Sequence, residues 1–183
     1  MIAVQKPLLI ALAVLLFLVF NAFNHLVFKD ARLDLTEGQL YTLSEGSLNL
    51  VQGIEEPVQL YFFFGEAASR DLTPIRTYAD RVESMLEEFA LASNGMLVVE
   101  RIDPAPFSEA EDEAAAFGLQ AVPVSATGDA LYFGLAGSDA LDNVETIPFF
   151  QPDREMFLEY EISQLIDRLA RPKREMVGLI STL

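Results

Sequence analysis

The sequence contains no cysteine and no tryptophan, and its 183 residues include a single histidine. Without cysteine the chain can form no disulfide bond, no thiolate metal site and no thiol nucleophile. The histidine, His25, lies in an apolar N-terminal stretch, so a Ser-His-Asp triad cannot be assembled in the rest of the chain. We therefore predict a protein that is not an enzyme and that has no catalytic or metal-binding residues.

Basic residues are also scarce, because 12 Lys and Arg stand against 28 Asp and Glu, and the formal net charge is −16. Such a surface repels nucleic acid and anionic lipid headgroups, whose binding requires Lys and Arg. It favours solubility, or docking to a basic partner. No phosphate loop or dinucleotide-binding motif is present. We therefore expect no nucleic-acid partner and no cofactor.

One long apolar run lies at the N-terminus. Residues 7–28 contain no Asp, Glu, Lys or Arg, and roughly 20 apolar residues cross a hydrocarbon core of ~30 Å. A cleaved secretory signal is the alternative, but its apolar region would be about 7–15 residues and would end in small residues. We predict an uncleaved transmembrane signal anchor, preceded by a short tail at residues 1–6.

The direction of this anchor is only weakly encoded, since basic residues flank it on both sides. The short tail and the acidic body favour an inner (cytoplasmic) membrane protein with an extracytoplasmic, periplasmic domain. Asn21, Asn24 and His25 place polar groups near the end of the apolar run. They are expected either to reach the headgroup layer or to contact neighbouring helices.

The remainder of the chain alternates between strand and helix patterns. Short apolar runs rich in β-branched and aromatic residues predict buried strands, and apolar residues spaced three or four apart predict amphipathic helices. The predicted elements are a helix at 45–52, a strand at 56–64, a helix at 74–93, a strand at 96–102, a helix at 109–117, strands at 130–135 and 144–149, and a helix at 154–170.

Several polar residues are predicted at the ends of these elements. Ser44 and Ser108 are expected N-caps, because a hydroxyl can accept a free amide at a helix start. Glu111 would complete a capping box with Ser108. Thr73 is also predicted to cap a helix, and residues 136–143 are predicted to form a turn between two strands.

The order of elements predicts an α/β sandwich, the arrangement of the thioredoxin fold. Residues 117–124 resemble the thioredoxin stretch in which a helix ends at Gly and a cis-proline opens the next strand, so Pro123 is predicted to be cis. Thioredoxin-like enzymes carry Cys-x-x-Cys after their first strand, but residues 65–73 contain no cysteine. The predicted fold class is α/β, with an N-terminal transmembrane helix followed by a thioredoxin-like α/β sandwich that lacks catalytic cysteines.

Two stretches resemble the GldG-like family, the gliding-motility auxiliary components of ABC-type transporters. The first is an L-D-L-T…Y-T-L-S motif directly after the anchor, and the second comprises the strand that begins at Glu56 and the helix at 157–163. The resemblance extends from the anchor to Ala170. The motif residues are Leu33, Asp34, Leu35, Thr36, Tyr41, Thr42, Leu43 and Ser44.

The resemblance implies a non-enzymatic, extracytoplasmic auxiliary subunit that works with an ABC permease and, through it, a cytoplasmic ATPase. It carries over no catalytic residue, and it does not imply gliding itself. Two alternatives stay open: a membrane-tethered hydrolase whose active site lies beyond this sequence, and a stand-alone module that binds the cell envelope.

The predicted domain organisation has five parts. The tail at 1–6 and the anchor at 7–28 precede a connector strand and helix at 29–55. The thioredoxin-like α/β domain follows at 56–172. Residues 173–183 are expected to begin a second α/β domain, because their pattern indicates a new strand.

Overall fold

The computed structural model describes residues 12, 14–17, 20, 43–124 and 130–171. The chain divides into two compact units, 1–40 and 41–183. The described residues of the first unit are helical and solvent-exposed. Within these ranges, no helix has both the length and the apolar character needed to span a bilayer.

Several predictions fall on parts of the chain that are not described. Most of the predicted anchor at 7–28, including Asn21, Asn24 and His25, lies outside the described residues, as does the connector up to residue 42. The predicted second domain at 173–183 also lies outside them. These stay predictions.

The second unit is a mixed α/β domain, which confirms the predicted class. Its elements in chain order are α1 Glu45–Gln52, β1 Val58–Phe64, α2 Thr73–Ala92, β2 Leu97–Ile102, α3 Glu109–Ala116, β3 Val122–Pro123, β4 Ala130–Leu131, β5 Phe133–Ser138, β6 Val144–Ile147, a 3-10 helix Pro152–Phe157 and α4 Leu158–Ala170.

Four strands form one sheet in the order β2-β1-β5-β6. The pair β1 and β2 is parallel, so it requires a crossover connection, which α2 provides. Strand β5 runs antiparallel to both β1 and β6, and a short turn joins β5 to β6. Strands β3 and β4 form a separate two-stranded ladder.

Strand β1 is central because both of its faces are apolar. Leu60, Phe62 and Phe64 are buried in the larger core with residues of α2 and α4. Phe63 points to the other face, where it is buried in a smaller cluster with Ala114 of α3. Burying a phenylalanine side chain contributes about 1.5–3 kcal/mol, so this strand anchors both layers of helices.

The helix ends agree with the predicted caps in two cases out of three. Ser108 Oγ accepts from the N–H of Glu111 at 3.3 Å, and Ser44 Oγ caps α1. The prediction for Thr73 is wrong, because Leu72 is the N-cap and makes no side-chain bond. The first backbone bond of α2 runs from Arg76 N–H to the Leu72 carbonyl, which places Thr73 already inside the helix.

Two predicted boundaries around β5 and α4 are wrong. Residues 136–138 belong to β5 rather than to a turn, because Ser138 pairs with Gln59 of the seven-residue β1. The helix predicted from residue 154 starts as a 3-10 helix, and α4 begins only at Leu158. No residue of the 3-10 segment is buried, so no apolar stripe fixes it in α-helical geometry.

The predicted cis-proline is also wrong. No cis peptide bond occurs among the described residues, which include both Val122 and Pro123. Pro123 is solvent-exposed and pairs with Ala130 in the small ladder. The trans form of an X-Pro bond is favoured by about 0.5–1 kcal/mol, and an exposed ring has no packing to offset that preference.

Candidate functional site

The loop after β1, where a thioredoxin-like enzyme would carry its cysteines, is closed by polar contacts. The N–H of Glu66 donates to Asp103 Oδ1 at 3.0 Å, and the Glu66 carboxylate pairs with both Arg76 and Arg101. Ser69 is fully buried, and its hydroxyl donates to the Glu66 carbonyl at 3.2 Å. These contacts hold the loop in place and leave its serine bound to the backbone.

The described end of the motif lies where α1 packs against α4. Leu43 is buried, and Ser44 Oγ accepts from the N–H of Ser47 at 3.3 Å. The N–H of Ser44 donates to Glu159 Oε1 at 2.7 Å, and the hydroxyls of Ser47 and Ser163 lie 2.9 Å apart. The two stretches that carry the family resemblance thus meet in space. We call this hydrogen-bonded set of Ser44, Ser47, Glu159 and Ser163 the serine seam.

The serine seam has the electrostatics of a structural joint. Burial, the largest single influence, raises the pKa of Glu159, but hydrogen bonds from Ser47 and Ser44 together outweigh it and lower the pKa below its ordinary value of 4.5. A carboxylate with a lowered pKa is a weak general base at neutral pH. The seam therefore fastens α1 to α4 and does not activate a hydroxyl.

No metal centre accompanies the seam. Across the described ranges, no group of three or more His, Cys, Asp or Glu side chains is placed to hold a metal ion.

Large apolar side chains are exposed beside the serine seam. Met156 is 82% exposed, Tyr160 64% and Phe157 49%. Methionine and aromatic residues are enriched at the centres of protein–protein interfaces. We call these three residues, together with the groove between α1 and α4, the α4 surface.

The groove of the α4 surface consists of two adjoining cavities. Their volumes are ≈ 320 Å³ and ≈ 500 Å³, and both are lined by Gly46, Tyr160 and Ser163. A third cavity of ≈ 300 Å³ lies between β6 and α4, and Tyr160 lines it as well. Tyr160 therefore stands between concave surfaces on both sides, which is the usual position of a dominant interface residue.

The α4 surface carries an excess of negative charge. Its arginines are each paired with an acid: Arg154 with Glu161 at 2.6 Å, Arg168 with Glu145 at 3.1 Å and Arg171 with Asp167 at 3.5 Å. Within the described part of the chain, the acids of α1, the 3-10 helix and α4 that have no cationic partner are Glu45, Asp153 and Glu159.

The structure brings together only some of the residues singled out from sequence. Ser44 and Leu43 reach the α4 surface, whereas the motif residues from Leu33 to Thr42 lie outside the described residues. Pro123 lines none of the three cavities.

Met156 and Tyr160 were not singled out from sequence. The signal that could have found them is their spacing of four residues on the side of the predicted helix opposite Leu158 and Ile162, where polar residues are expected.

Comparison with known proteins places part of this arrangement in a family. The family described as "Domain of unknown function (DUF7088)" matches residues 37–138. The matched range includes Ser44 and the strands β1, β2 and β5, and it makes up more than half of the chain. No curated protein and no solved structure matches the chain.

Proposed function

The chain belongs to the DUF7088 family of domains of unknown function, and we propose that it is a non-enzymatic auxiliary subunit of an ABC-type transport complex. The anchor at residues 7–28 holds it in the inner membrane. Its acidic domain stands on the extracytoplasmic side beside the permease, which connects it to the cytoplasmic ATPase.

In this proposal the domain is a thioredoxin-like scaffold. The strand order β2-β1-β5-β6 supports that assignment, together with a parallel pair joined through α2 and an antiparallel pair followed by a helix. The loop at the enzyme position contains Glu66 in ion pairs instead of reactive cysteines. Such a scaffold serves recognition rather than redox chemistry.

The observation that carries the proposal is the hydrogen bond between Ser44 N–H and Glu159. It joins the motif that follows the anchor to the helix segment at 157–163, which shares the family resemblance. The same joint leaves Tyr160 exposed between concave surfaces. Residues that build a joint and present an exposed aromatic side chain suit a subunit whose work is binding.

Co-purification from native membranes tests this proposal. The full chain, affinity-tagged and extracted in a mild detergent, is expected to bring down a permease and an ATPase that mass spectrometry identifies. Tyr160→Ala is expected to lower their recovery roughly tenfold or more, since a central aromatic contact contributes on the order of 2 kcal/mol or more.

The matched control is Leu91→Ala, because Leu91 is equally exposed at 64% but lies on α2. Its recovery should equal that of the wild type. If neither a permease nor an ATPase accompanies the wild-type chain, the proposal is wrong. Catalytic turnover by the purified chain would instead favour the membrane-tethered hydrolase.

A further inference from the structure

We propose that the α4 surface binds a cationic amphipathic helix of a partner protein, with Tyr160 at the centre of the contact. This inference deepens the proposed function and rests on it for the role of the surface. It adds the chemical nature of the segment that occupies the groove.

A helix fits this groove because both of its walls are helices. The backbone amides and carbonyls within α1 and α4 bond to each other along the helix axes, so they offer no ladder to an extended peptide. Binding of a strand requires an exposed sheet edge, whereas an amphipathic helix satisfies its own backbone and needs only an apolar groove. The α4 surface supplies such a groove.

The dimensions of the groove also suit a helix. Its lining runs along α4 from Met156 to Arg171, a length of about 22 Å at ~1.5 Å per residue, which a helix of about 14 residues matches. Gly46 forms part of the opposite wall, and a Cβ added there would meet only Ser44 Oγ, at 3.8 Å. The wall is therefore open at Gly46, where a second helix can approach closely.

The charge of the α4 surface selects a cationic partner. Glu45, Asp153 and Glu159 have no cation beside them among the described residues, and the ring face of Tyr160 attracts Lys or Arg. A second copy of this chain is the less suitable occupant, because two chains of formal net charge −16 repel each other.

A peptide titration tests the inference directly. The probe is a synthetic amphipathic peptide of about 14 Leu and Lys residues, labelled for fluorescence anisotropy and titrated with the full chain in nanodiscs of zwitterionic lipid. Empty nanodiscs correct for binding to lipid. A peptide of the same composition without an apolar face, and one with Glu in place of Lys, serve as comparison probes. Only the cationic amphipathic peptide is expected to bind specifically.

Two variants separate loss of the surface from loss of the fold. Gly46→Leu fills the groove while it raises the helix propensity of α1 by up to about 1 kcal/mol, so weakened binding cannot be attributed to a weaker helix. Tyr160→Ala removes the central contact. Each is expected to weaken binding at least about tenfold, and Leu91→Ala is expected to leave it unchanged.

The charge requirement has its own variant. In Glu45→Gln/Asp153→Asn two of the unpaired charges are removed, so binding should weaken severalfold and depend less on salt concentration. Equal affinity of the cationic and acidic peptides would overturn the inference. So would binding that Gly46→Leu and Tyr160→Ala leave unchanged, or self-association of the chain through this surface.

These results are distinguishable from a failure of the proposed function. If the cationic peptide binds in the groove but no permease or ATPase co-purifies, the surface is assigned correctly and the transport role is wrong. If both subunits co-purify but the variants do not affect peptide binding, the transport role stands and this inference falls.

Discussion

Ser44 shows how a single short side chain organises this protein. Its hydroxyl accepts from the N–H of Ser47, and its own N–H donates to Glu159, which lies 115 residues further along the chain. One residue therefore starts α1 and fastens it to α4. The local half of this role, the cap, could be predicted from sequence, because a serine before a helical pattern has a defined chemistry.

Replacement of the Ser44 hydroxyl tests the cap. Ser44→Ala is expected to lower the free energy of unfolding by about 1 kcal/mol, within a range of roughly 0.5–2 kcal/mol, because one amide at the start of α1 loses its acceptor. The midpoint of urea denaturation measures the loss. Ser44→Thr keeps a hydroxyl and should lie close to the wild type. Equal midpoints for Ser44→Ala and the wild type would show that the cap contributes nothing.

Tyr78 is a residue whose polar atom opposes folding. Its side chain is 4% exposed, and its hydroxyl has no hydrogen-bond partner among the described residues. Since an unsatisfied buried group costs about 1–3 kcal/mol, Tyr78→Phe is expected to raise the free energy of unfolding by on the order of 1 kcal/mol. Tyr160→Phe, which changes an exposed ring, should stay within about 0.5 kcal/mol of the wild type. A clear loss of stability in Tyr78→Phe would contradict this account.

The same tyrosine predicts a pH dependence. Burial, with smaller contributions from the carboxylates of Glu161 and Glu155, raises the pKa of Tyr78 from 10.0 to about 12. The stability linked to this group is present below pH 10.0, and it is lost as the pH rises towards 12, because only the unfolded chain releases the proton there. The stability of the wild type should therefore fall more steeply than that of Tyr78→Phe over this interval. Parallel curves would refute the shift.

At the scale of elements, strand β5 is where neighbouring layers approach most closely. A Cβ at Gly134 would lie 2.7 Å from the Ile147 carbonyl oxygen and 2.9 Å from that of Pro148. A Cβ at Gly137 would lie 2.6 Å from Leu169 Cδ1 and 2.7 Å from Leu60 Cδ2. The first site is limited by backbone, and the second by the ends of side chains that can rotate.

The two glycines therefore predict an ordered pair of effects. Gly134→Ala is expected to lower the free energy of unfolding by about 1–3 kcal/mol, the usual cost of overpacking, and Gly137→Ala is expected to cost less. Chemical denaturation of both variants under identical conditions measures the difference. The reverse order would show that the β5–β6 backbone yields more easily than the apolar contacts between β5 and α4.

Local patterns predicted most of the elements but not all of their ends. The helix at Glu45–Gln52 was predicted with its observed bounds because a capping serine precedes it and a glycine follows it. The end of β5 was missed, since residues 136–138 resemble a turn by composition and become a strand only through pairing with β1. The cis form of Pro123 was inferred from resemblance, and no surrounding packing imposes it.

At the scale of the whole molecule, the division of the helices between the two sheet faces explains where binding is expected. The larger core receives α2 and α4, and α1 packs against both of them at its margin. This leaves one side of α4 exposed with Tyr160 and a groove. The groove could not be predicted from sequence, because it depends on two helices that are more than a hundred residues apart.

The central claim is that the α4 surface meets the transport partner, and site-specific photo-crosslinking in intact cells tests it most directly. A photoreactive amino acid replaces Tyr160 in the full-length chain, and Leu91 in the matched control. We predict a crosslink from position 160 to a permease, at a segment that is helical and rich in Lys and Arg, and little or no crosslink from position 91. Equal yields from the two positions, or no permease crosslink from position 160, would contradict the account.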